Sequence, residues 1–252
     1  MTRHRAVSLT RIALIIAAIG ALELACRTGL IKPLVMIAPS AMLTTLVTLL
    51  RSGTVTEDIA QTFATVAAAF ALAIAAGFAL GALIHALPRL RSAIDPLLAS
   101  YYAVPFFVFY PLLVAIFGLN QLPLIAIGLL FATPAMMLAT LNGLDRVPRV
   151  LHRVARIHHL SRVQDIRLVT LPSAAPHLLA GVKLAFAYAF IGVIAGEFIL
   201  AGGGLGYSIA YAYENFENAK MYALMLFVLL VATGVNFALH AWETHLQHRR
   251  AR

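Results

Sequence analysis

The chain has 252 residues, of which 62% are hydrophobic and 12% are charged, and its mean hydropathy is +0.89. A soluble domain carries about 25% charged residues, so this composition excludes an ordinary soluble enzyme, whose surface needs more polar cover. Disorder, collagen-like repeats and a disulfide scaffold are excluded as well, because the apolar content is high, the 16 glycines follow no period and there is 1 cysteine. The remaining class is a membrane protein that crosses the bilayer several times.

Long uncharged intervals predict six membrane-spanning helices, since a bilayer core about 30 Å thick requires roughly 20 apolar residues per helix. In chain order, the predicted spans are residues 12–30, residues 59–87, two spans within the uncharged interval 96–144, a span that follows Lys183, and residues 221–242. The turn between the third and fourth spans is predicted at residues 120–123. Because Glu23 falls late in the first span, we interpret that span as an uncleaved helix rather than a signal peptide.

Lysines and arginines are distributed unevenly between the two sides that this topology creates. With the N-terminus inside, 14 basic residues fall on the inner side and 4 on the outer side, and Lys183 lies near the inner end of the fifth span. Cytoplasmic loops carry the excess of basic residues, so both termini are predicted to be cytoplasmic. This distribution, together with anionic lipid, accounts for the net charge of +9, and nucleic-acid binding is not expected.

A basic loop at residues 145–177 interrupts the apolar pattern on the predicted cytoplasmic side. Apolar residues recur there at three- and four-residue spacing and arginines occupy the opposite face, which is typical of an amphipathic helix. The apolar positions are Val147, Val150, Leu151, Val154 and Ile157, and the arginines are Arg146, Arg149, Arg153 and Arg156. Such a helix either lies on anionic headgroups or docks into a groove on a soluble partner.

This loop resembles the EAA loop of ABC-importer permeases, in which a Glu-Ala-Ala triplet and a Gly-Ala-Ser segment precede a Leu-Pro and a second Pro. The matching stretches are residues 153–161, Leu171-Pro172 and residues 176–181. Two further stretches resemble helices of the permeases of the nitrate, sulfonate and taurine group, namely Pro105 and Pro111 with Phe117-Gly118, and Ala195-Gly196-Glu197 with residues 203–206. The resemblance extends from Gln61 to the end of the sixth span.

The resemblance implies an all-α membrane protein of about six transmembrane helices, with type I ABC-importer permease architecture and a cytoplasmic coupling helix. It implies a homodimer in the bacterial inner membrane, with ATPase subunits inside and a substrate-binding protein outside. ATP hydrolysis would drive alternating access for a small solute. The chain has no Gly-x-x-x-x-Gly-Lys-Ser/Thr motif, so ATP and Mg²⁺ are expected on the ATPase, and no catalytic residue or cofactor is expected here.

Boundaries and contact residues follow from the same resemblance. The implied regions are residues 1–58 (N-terminal span and outer linker), residues 59–242 (permease domain) and residues 243–252 (basic cytoplasmic tail). The residues expected to couple the chain to the ATPase are Arg153, Val154, Ala155, Arg156, Ile157, His159, Leu160, Ser161, Leu171 and Pro172.

The loop departs from the family pattern at several positions. Arg153 stands where the family has Glu, Val154 where it has Ala, and His159 where it has Gly. Histidine adopts a positive φ less readily than glycine, so an altered turn or an altered partner contact is expected. Ser173 and Pro176 predict that the fifth helix begins with a capped, proline-containing first turn.

Polar residues within the spans are candidates for the translocation pathway. A carboxylate in hydrocarbon is costly, so Glu197 is expected to face a cavity or to make structural hydrogen bonds, with exposure at the outer interface as the alternative. Tyr102, Pro105 and Phe109 are assigned to the same pathway, with an aromatic packing face as the alternative.

The glycine and histidine clusters predict structural roles rather than phosphate or metal binding. The run at residues 202–206 lacks a lysine for phosphate binding and predicts a turn or close helix packing, and Gly77 and Gly81 predict close helix approach. No metal site is expected at His158 and His159, because adjacent residues of a helix point about 100° apart. For His85, at an inner helix end, contact with headgroups is expected.

Two other functions compete with the importer subunit. An intramembrane transferase needs His, Asp or Ser residues that converge at one depth, whereas the spans offer Glu197 alone. An ion-coupled secondary transporter predicts inverted repeats and several buried charges, and the sequence displays neither. The solute itself stays open, since nitrate, sulfonates, taurine and small heterocycles are all compatible with the group.

Overall fold

Helices joined by short turns make up the chain, and the computed structural model describes residues 2–101, 104–200 and 202–250. The helices are α1 (Thr2–Arg27), α2 (Pro39–Ser52), α3 (Thr56–Ala86), α4 (Pro88–Ser100), α5 (Tyr110–Phe117), α6 (Leu122–Asp145), α7 (Arg149–Ile157), α8 (Arg162–Asp165), α9 (Leu171–Leu200), α10 (Leu205–Glu214) and α11 (Asn218–Arg250). A 3₁₀ segment, Phe106–Phe109, precedes α5, and a π-helical segment, Ile166–Thr170, joins α8 to α9.

Small residues bring α3, α6 and α9 into close contact at the centre of the fold. Alanines of all three helices are fully buried in one core cluster. A Cβ atom on Gly81 would lie 2.7 Å from the Cβ of Thr140, and one on Gly192 would lie 3.2 Å from the Cα of Gly128. Helices in lipid gain little from apolar burial against each other and associate instead through such close backbone contact. The prediction of close approach at Gly77 and Gly81 is confirmed.

The remaining helices surround this centre. α11 packs against α2, α9 and α10. α1 is joined to α2 by Glu23, whose carboxylate accepts hydrogen bonds from the backbone N–H and the hydroxyl of Ser40 at 3.0 and 2.6 Å. The predicted outer linker therefore contains a helix, α2, that the sequence analysis did not assign. It begins at Pro39, whose fixed φ suits the first position of a helix.

Four helices of the described residues are long and apolar enough to cross a membrane: residues 56–86, 122–145, 162–199 and 218–245. They correspond to the predicted second, fourth, fifth and sixth spans. α1 covers the predicted first span and ends at Arg27, three residues earlier than expected.

The third predicted span is not one helix, and this part of the prediction is wrong. Its residues are divided among α4, the 3₁₀ segment and α5, and the apolar helical part covers only Phe106–Phe117. Prolines explain the division, since a proline lacks a backbone N–H and disfavours helical backbone in the residue before it. Pro105 stands where the continuous helix would have to pass, with a non-helical ψ of 81°, whereas Pro111 lies in the first turn of α5, where proline is tolerated.

The fifth helix begins earlier than predicted. The chain is helical from Arg162 through the π-helical segment into α9, so Ser173 is not an N-cap and Pro176 lies inside the helix. The initiation signal is the capping box at Ser161 and Gln164, which satisfies N–H groups of the first turn. A second cap at Ser173 is therefore unnecessary.

We expect Gly81→Ala to lower the stability of the protein. The added methyl group would meet Thr140 and the carbonyl oxygen of Met137 at under 3 Å, and such overpacking costs about 1–3 kcal/mol. Gly234→Ala is the matched control, because nothing lies within 4 Å of its Cβ position. Thermal unfolding in detergent measures both variants, and equal midpoints for the two would contradict the assigned packing.

Candidate functional site

The amphipathic helix predicted in the basic loop is α7, and its apolar ridge is exposed. Val150, Val154 and Ile157 are 58%, 45% and 73% exposed, whereas Ala155 on the inner face is 3% exposed. Val147 was predicted to belong to the ridge, but it precedes α7 and is buried. The ridge, defined here as Val150, Val154 and Ile157, therefore faces away from the rest of the chain. The flanking arginines Arg149, Arg153 and Arg156 are exposed beside it.

His159 adopts the left-handed backbone conformation that the family's glycine would supply, with φ of 52°. The N–H of His159 bonds to the carbonyl of Arg156, and the N–H of Leu160 bonds to the carbonyl of Ala155, each at 3.0 Å. These two bonds define a Schellman motif, which usually ends in glycine. The expected change of the turn is therefore not found in the backbone, and α7 ends in the tight turn despite its histidine.

Side-chain bonds hold α7 against the following segment. The Nδ1 atom of His152 lies 2.9 Å from Oδ2 of Asp165, so the two ends of the turn are joined. Ser161 and Gln164 form the capping box of α8, with bonds of 3.3 and 2.8 Å. Within the described residues, no group of three His, Cys, Asp or Glu side chains could hold a metal ion.

The predicted coupling residues divide into two groups. Arg153–Ser161 lie together on α7 and its turn, whereas Leu171 and Pro172 lie beyond α8, in the first turn of α9. Leu160 and Leu171 are half-buried, and Pro172 is exposed. The ridge is thus presented by α7, and the Leu-Pro pair belongs to the base of the spanning helix.

A polar junction at the end of α6 was missed by the sequence analysis. Asp145 accepts hydrogen bonds from both terminal nitrogens of the Arg91 guanidinium at 2.6 Å, and Nδ1 of His85 lies 3.0 Å away. His85 was expected to contact headgroups, and in the structure its ring contacts the Asp145 carboxylate. Such forked pairs fix geometry as well as charge. The junction joins α3, α4 and α6 four residues before α7 begins.

Glu197 is fully buried and bonds to the break between α9 and α10. Its carboxylate accepts hydrogen bonds from the hydroxyl of Thr62, at 2.9 and 2.8 Å, and from the N–H of Gly206, at 3.0 Å. The Thr62 oxygen in turn accepts a bond from the N–H of Leu205 at 2.8 Å. Glu197 was expected to face a cavity, to make structural hydrogen bonds or to be exposed at the outer interface. Its carboxylate makes structural hydrogen bonds.

Asp58 completes this polar cluster. Its carboxylate accepts bonds from the N–H of Gly204 at 3.1 Å and from the hydroxyl of Ser208 at 2.5 Å. Three successive N–H groups at the beginning of α10 thereby gain acceptors from Asp58, Thr62 and Glu197. The first N–H groups of a helix have no partner within it, and a negative charge near them is favourable.

Glycines permit the carboxylate to approach this closely. Gly204 has φ of 99°, and a Cβ atom on it would lie 2.7 Å from Oε2 of Glu197. A Cβ on Gly206 would lie 2.6 Å from the Cβ of Glu197. Close packing, predicted for the glycine run, is confirmed. No local sequence pattern points to Asp58, Thr62 and Ser208. The bonds join α3 to residues that are 135 to 150 positions away in the sequence.

The aromatic segment has one packed face and one open face. Phe106 and Tyr110 are buried, and the Phe106 ring meets Phe131 of α6 edge-on at 5.5 Å between centroids. Pro105 and Phe109 are exposed, and Tyr102 lies outside the described residues. The packing alternative thus holds for Phe106 and Tyr110, whereas Pro105 and Phe109 face outward.

An open cavity of about 670 Å³ lies beside the polar cluster. Its lining includes the amide side chains of Gln61, Asn120 and Gln121, together with Tyr110 and Gly203. Amides donate and accept hydrogen bonds without carrying charge. Leu119, Leu122, Leu124 and Ile125 complete the lining, so this end of the helix group offers a mainly apolar, uncharged concave surface with a few amide groups.

Residues 69–252 match the family described as "Binding-protein-dependent transport system inner membrane component". The chain belongs to this family. It is therefore a permease subunit of an ABC importer and an all-helical, multi-pass membrane protein, and permeases of this family are not themselves enzymes. The resemblance to the nitrate, sulfonate and taurine group is confirmed by curated relatives.

Three relatives illustrate the range of this permease group. The nitrate import permease protein NrtB of Leptolyngbya laminosa is 29% identical over 179 residues, which are 71% of this chain but only 64% of that relative, less than two thirds of its length. The taurine transport system permease protein TauC of Escherichia coli (strain K12) is 26% identical over 86% of this chain and 81% of the relative. The putative aliphatic sulfonates transport permease protein SsuC of Bacillus subtilis (strain 168) is 28% identical over 81% and 74%.

A solved structure shares the fold of the permease. An inward facing conformation of the MetNI methionine ABC transporter matches with a TM-score of 0.64 at 20% identity. The match covers 76% of this chain and 95% of the solved chain. At this identity the likeness establishes the fold alone, which is the type I permease architecture expected from the sequence.

We expect His159→Gly to stabilise the turn after α7. Glycine removes the left-handed strain of a residue with a Cβ, about 1 kcal/mol, so hydrogen exchange at the Leu160 amide should slow by about fivefold. His158→Gly is the control, because His158 has an ordinary φ of −81°. Unchanged or faster exchange in His159→Gly would show that the histidine side chain itself holds the turn.

We expect Thr62→Val to destabilise the permease, while Thr65→Val changes little. Both threonines are fully buried on α3, but the Thr65 hydroxyl bonds only to the carbonyl of Gln61 in its own helix. Loss of the Thr62 hydroxyl leaves the Leu205 N–H without its acceptor and costs about 1–3 kcal/mol. Thermal unfolding in detergent distinguishes the two variants, and an equal loss in Thr65→Val would contradict a specific role for Thr62.

Proposed function

We propose that this permease moves a small solute across the bacterial inner membrane by alternating access, powered by ATP hydrolysis on a separate ATPase subunit. The observation that carries the proposal is the exposed ridge of α7. An amphipathic helix that leaves its apolar side chains exposed fits a groove on a partner. The likeness of residues 153–161 to the EAA loop supports an ATPase as that partner, through the coupling residues of α7 and its turn.

Transmission of ATPase movement requires that α7 be firmly connected to the spanning helices. The connection on one side is the three-residue link from α6, in which Val147 is buried and its N–H bonds to the carbonyl of Leu144 at 3.3 Å. On the other side, His152 joins α7 to Asp165, from which helical backbone continues into α9. We infer that α7, α6 and α9 move together when the ATPase closes. In this proposal, Leu171 and Pro172 lie in the first turn of α9 and couple that helix to the movement of α7.

The remaining partners and the topology follow the same proposal. The excess of basic residues in the α7 loop supports a cytoplasmic location for this loop and for both termini. Two copies of the chain would form the permease, surrounded by lipid, and an extracytoplasmic binding protein would deliver the solute. ATP and Mg²⁺ would bind the ATPase, and this chain would bind no cofactor of its own.

The solute class is proposed from the relatives and the cavity together. Relatives are named for nitrate, taurine and aliphatic sulfonates. These solutes are small and carry anionic oxygens that accept hydrogen bonds. Gln61 and Gln121 line the cavity with amide groups that suit such a solute, whereas the Asn120 amide bonds to the backbone of its own turn. Pro105 and Phe109 are proposed to face the translocation pathway. Glu197 is proposed to act on that pathway indirectly, by fixing the beginning of α10.

We expect Val154→Asp to abolish retention of the ATPase, because a carboxylate in the centre of the ridge would be buried without a partner. Val163→Asp is the matched control, since Val163 is an exposed valine on α8 outside the ridge. The measurement is the amount of ATPase that co-purifies with the tagged permease when both are expressed together, and we expect a loss of at least about tenfold. Normal retention and transport in Val154→Asp would refute docking through the ridge.

A further inference from the structure

Apolar side chains hold α4 against the half of α6 that ends at Asp145. Leu98 of α4 is buried in a core cluster with Ile84 of α3. Met137 and Leu141 of α6 complete that cluster. α4 has no glycine, and its backbone does not approach α6 in the way that the backbones of α3 and α9 do. Because apolar contact is non-directional, this layer attaches α4 to α6 without fixing its position along that helix.

Directional bonds at the two ends of α4 fix that position. At one end, both terminal nitrogens of Arg91 lie 2.6 Å from the Asp145 carboxylate oxygens. At the other end, the hydroxyl of Tyr101 donates to the backbone carbonyl of Leu130 at 2.8 Å. Leu130 and Asp145 are about four turns apart on α6. Two directional contacts with this separation define both the register and the direction of α4 on α6.

The Arg91 fork restricts geometry more than it adds stability. The side chains of Arg91 and Asp145 are 31% and 34% exposed, and ion pairs that water reaches add little to the free energy of unfolding. Two parallel charge-assisted bonds nevertheless allow only a narrow range of relative orientations. The role that suits this pair is therefore the alignment of α4 with the end of α6.

The position of α4 determines where the 3₁₀ segment Phe106–Phe109 lies. The Tyr101 ring contacts the ring of Phe106 with 4.7 Å between centroids, and Phe106 in turn meets Phe131 of α6. Pro105 and Phe109, proposed above to face the translocation pathway, precede and end this segment. A shift of α4 along α6 would therefore displace the residues proposed to face the pathway.

We infer that Arg91 is a positioning residue for transport: its fork on Asp145 makes α4 and the 3₁₀ segment follow α6 when the ATPase moves α7. This inference rests on the proposed function, because it requires an ATPase that moves α7. The link from α6 to α7 begins directly after Asp145, so the carboxylate lies where the movement of α7 reaches α6. Without the fork, the apolar layer alone would let α4 slip along α6.

The test uses the complete transporter in nanodiscs, the permease with the ATPase encoded beside its gene. The chain has 1 cysteine, Cys26, so Cys26→Ser with Val108→Cys puts one spin label on the 3₁₀ segment, at a side chain that is 70% exposed. Double electron–electron resonance measures the distance between the labels of the two copies, without nucleotide and with Mg-ATP and vanadate. We expect nucleotide to change this distance, and Arg91→Gln to make the change at least about twofold smaller with normal ATPase retention.

Two further variants complete the experiment. Arg89→Gln is the matched control, because Arg89 is an exposed arginine of α4 for which the described residues offer no ion-pair partner, and it should keep the full change in distance. Arg91→Lys keeps the charge but loses the fork, so the change should be intermediate. This variant also carries the test if Arg91→Gln does not assemble.

The outcomes separate the two proposals. If nucleotide changes the distance equally in the parent and in Arg91→Gln, Arg91 does not position α4, even if thermal stability falls, and the proposed function stands. If Arg89→Gln reduces the change as much as Arg91→Gln does, the effect comes from the charge of α4 and the assignment to the fork is wrong. If nucleotide leaves the distance unchanged in the parent, the proposed function fails and the inference fails with it.

Discussion

Hydrogen bonding at the break between α9 and α10 is the constraint on which this end of the fold depends. Thr62, Glu197 and Leu205 are buried there, so no water replaces a missing partner and each buried backbone N–H must find an acceptor within the protein. The chain ends one helix and begins another there, and Asp58, Thr62 and Glu197 supply the acceptors for Gly204, Leu205 and Gly206. A buried carboxylate is costly in isolation, but that of Glu197 accepts hydrogen bonds from the Gly206 N–H and the Thr62 hydroxyl, and the glycines leave room for it. The cluster also fixes α3 to α9 and α10.

Much of the fold could be predicted from hydropathy alone. Long uncharged intervals marked α3, α6 and α11 correctly, and alternating Val and Arg positions marked α7. Hydropathy failed where backbone chemistry decides. It counts the apolar side chains near Pro105 and Pro111 but not the N–H groups that these prolines lack. The early beginning of the fifth helix did have a local signal, Ser161 followed three residues later by Gln164, which predicts a capping box. The Arg91–Asp145 pair and the Glu197 cluster join distant parts of the sequence, and no local pattern announces such pairs.

The turns after α7 and α10 share one design. Each closes a short helix with a Schellman motif and places a residue other than glycine at the left-handed position, His159 in one and Phe216 in the other. Glycine would relieve the strain but would present no side chain. At both positions the chain retains a side chain on a rigid turn, beside a surface that is left open. Strain that packing does not require is often found at functional sites, and the turn after α7 borders the ridge proposed here to bind the ATPase.

Helical backbone runs without a break from the turn after α7 to the carboxylate cluster. Residues 162–199 form one spanning helix of 38 residues, which is about 57 Å long at about 1.5 Å per residue. A rod of this length is a lever: a tilt of about 5° at its base displaces the far end by about 5 Å. The π-helical segment Ile166–Thr170 lies near that base, so the helical backbone is irregular but continuous between α8 and α9. Glu197 near the far end is bonded to Thr62 of α3 and to Gly206 of α10, so both helices would move with it. One continuous helix thus connects the turn after α7 to the carboxylate cluster without any intermediate part.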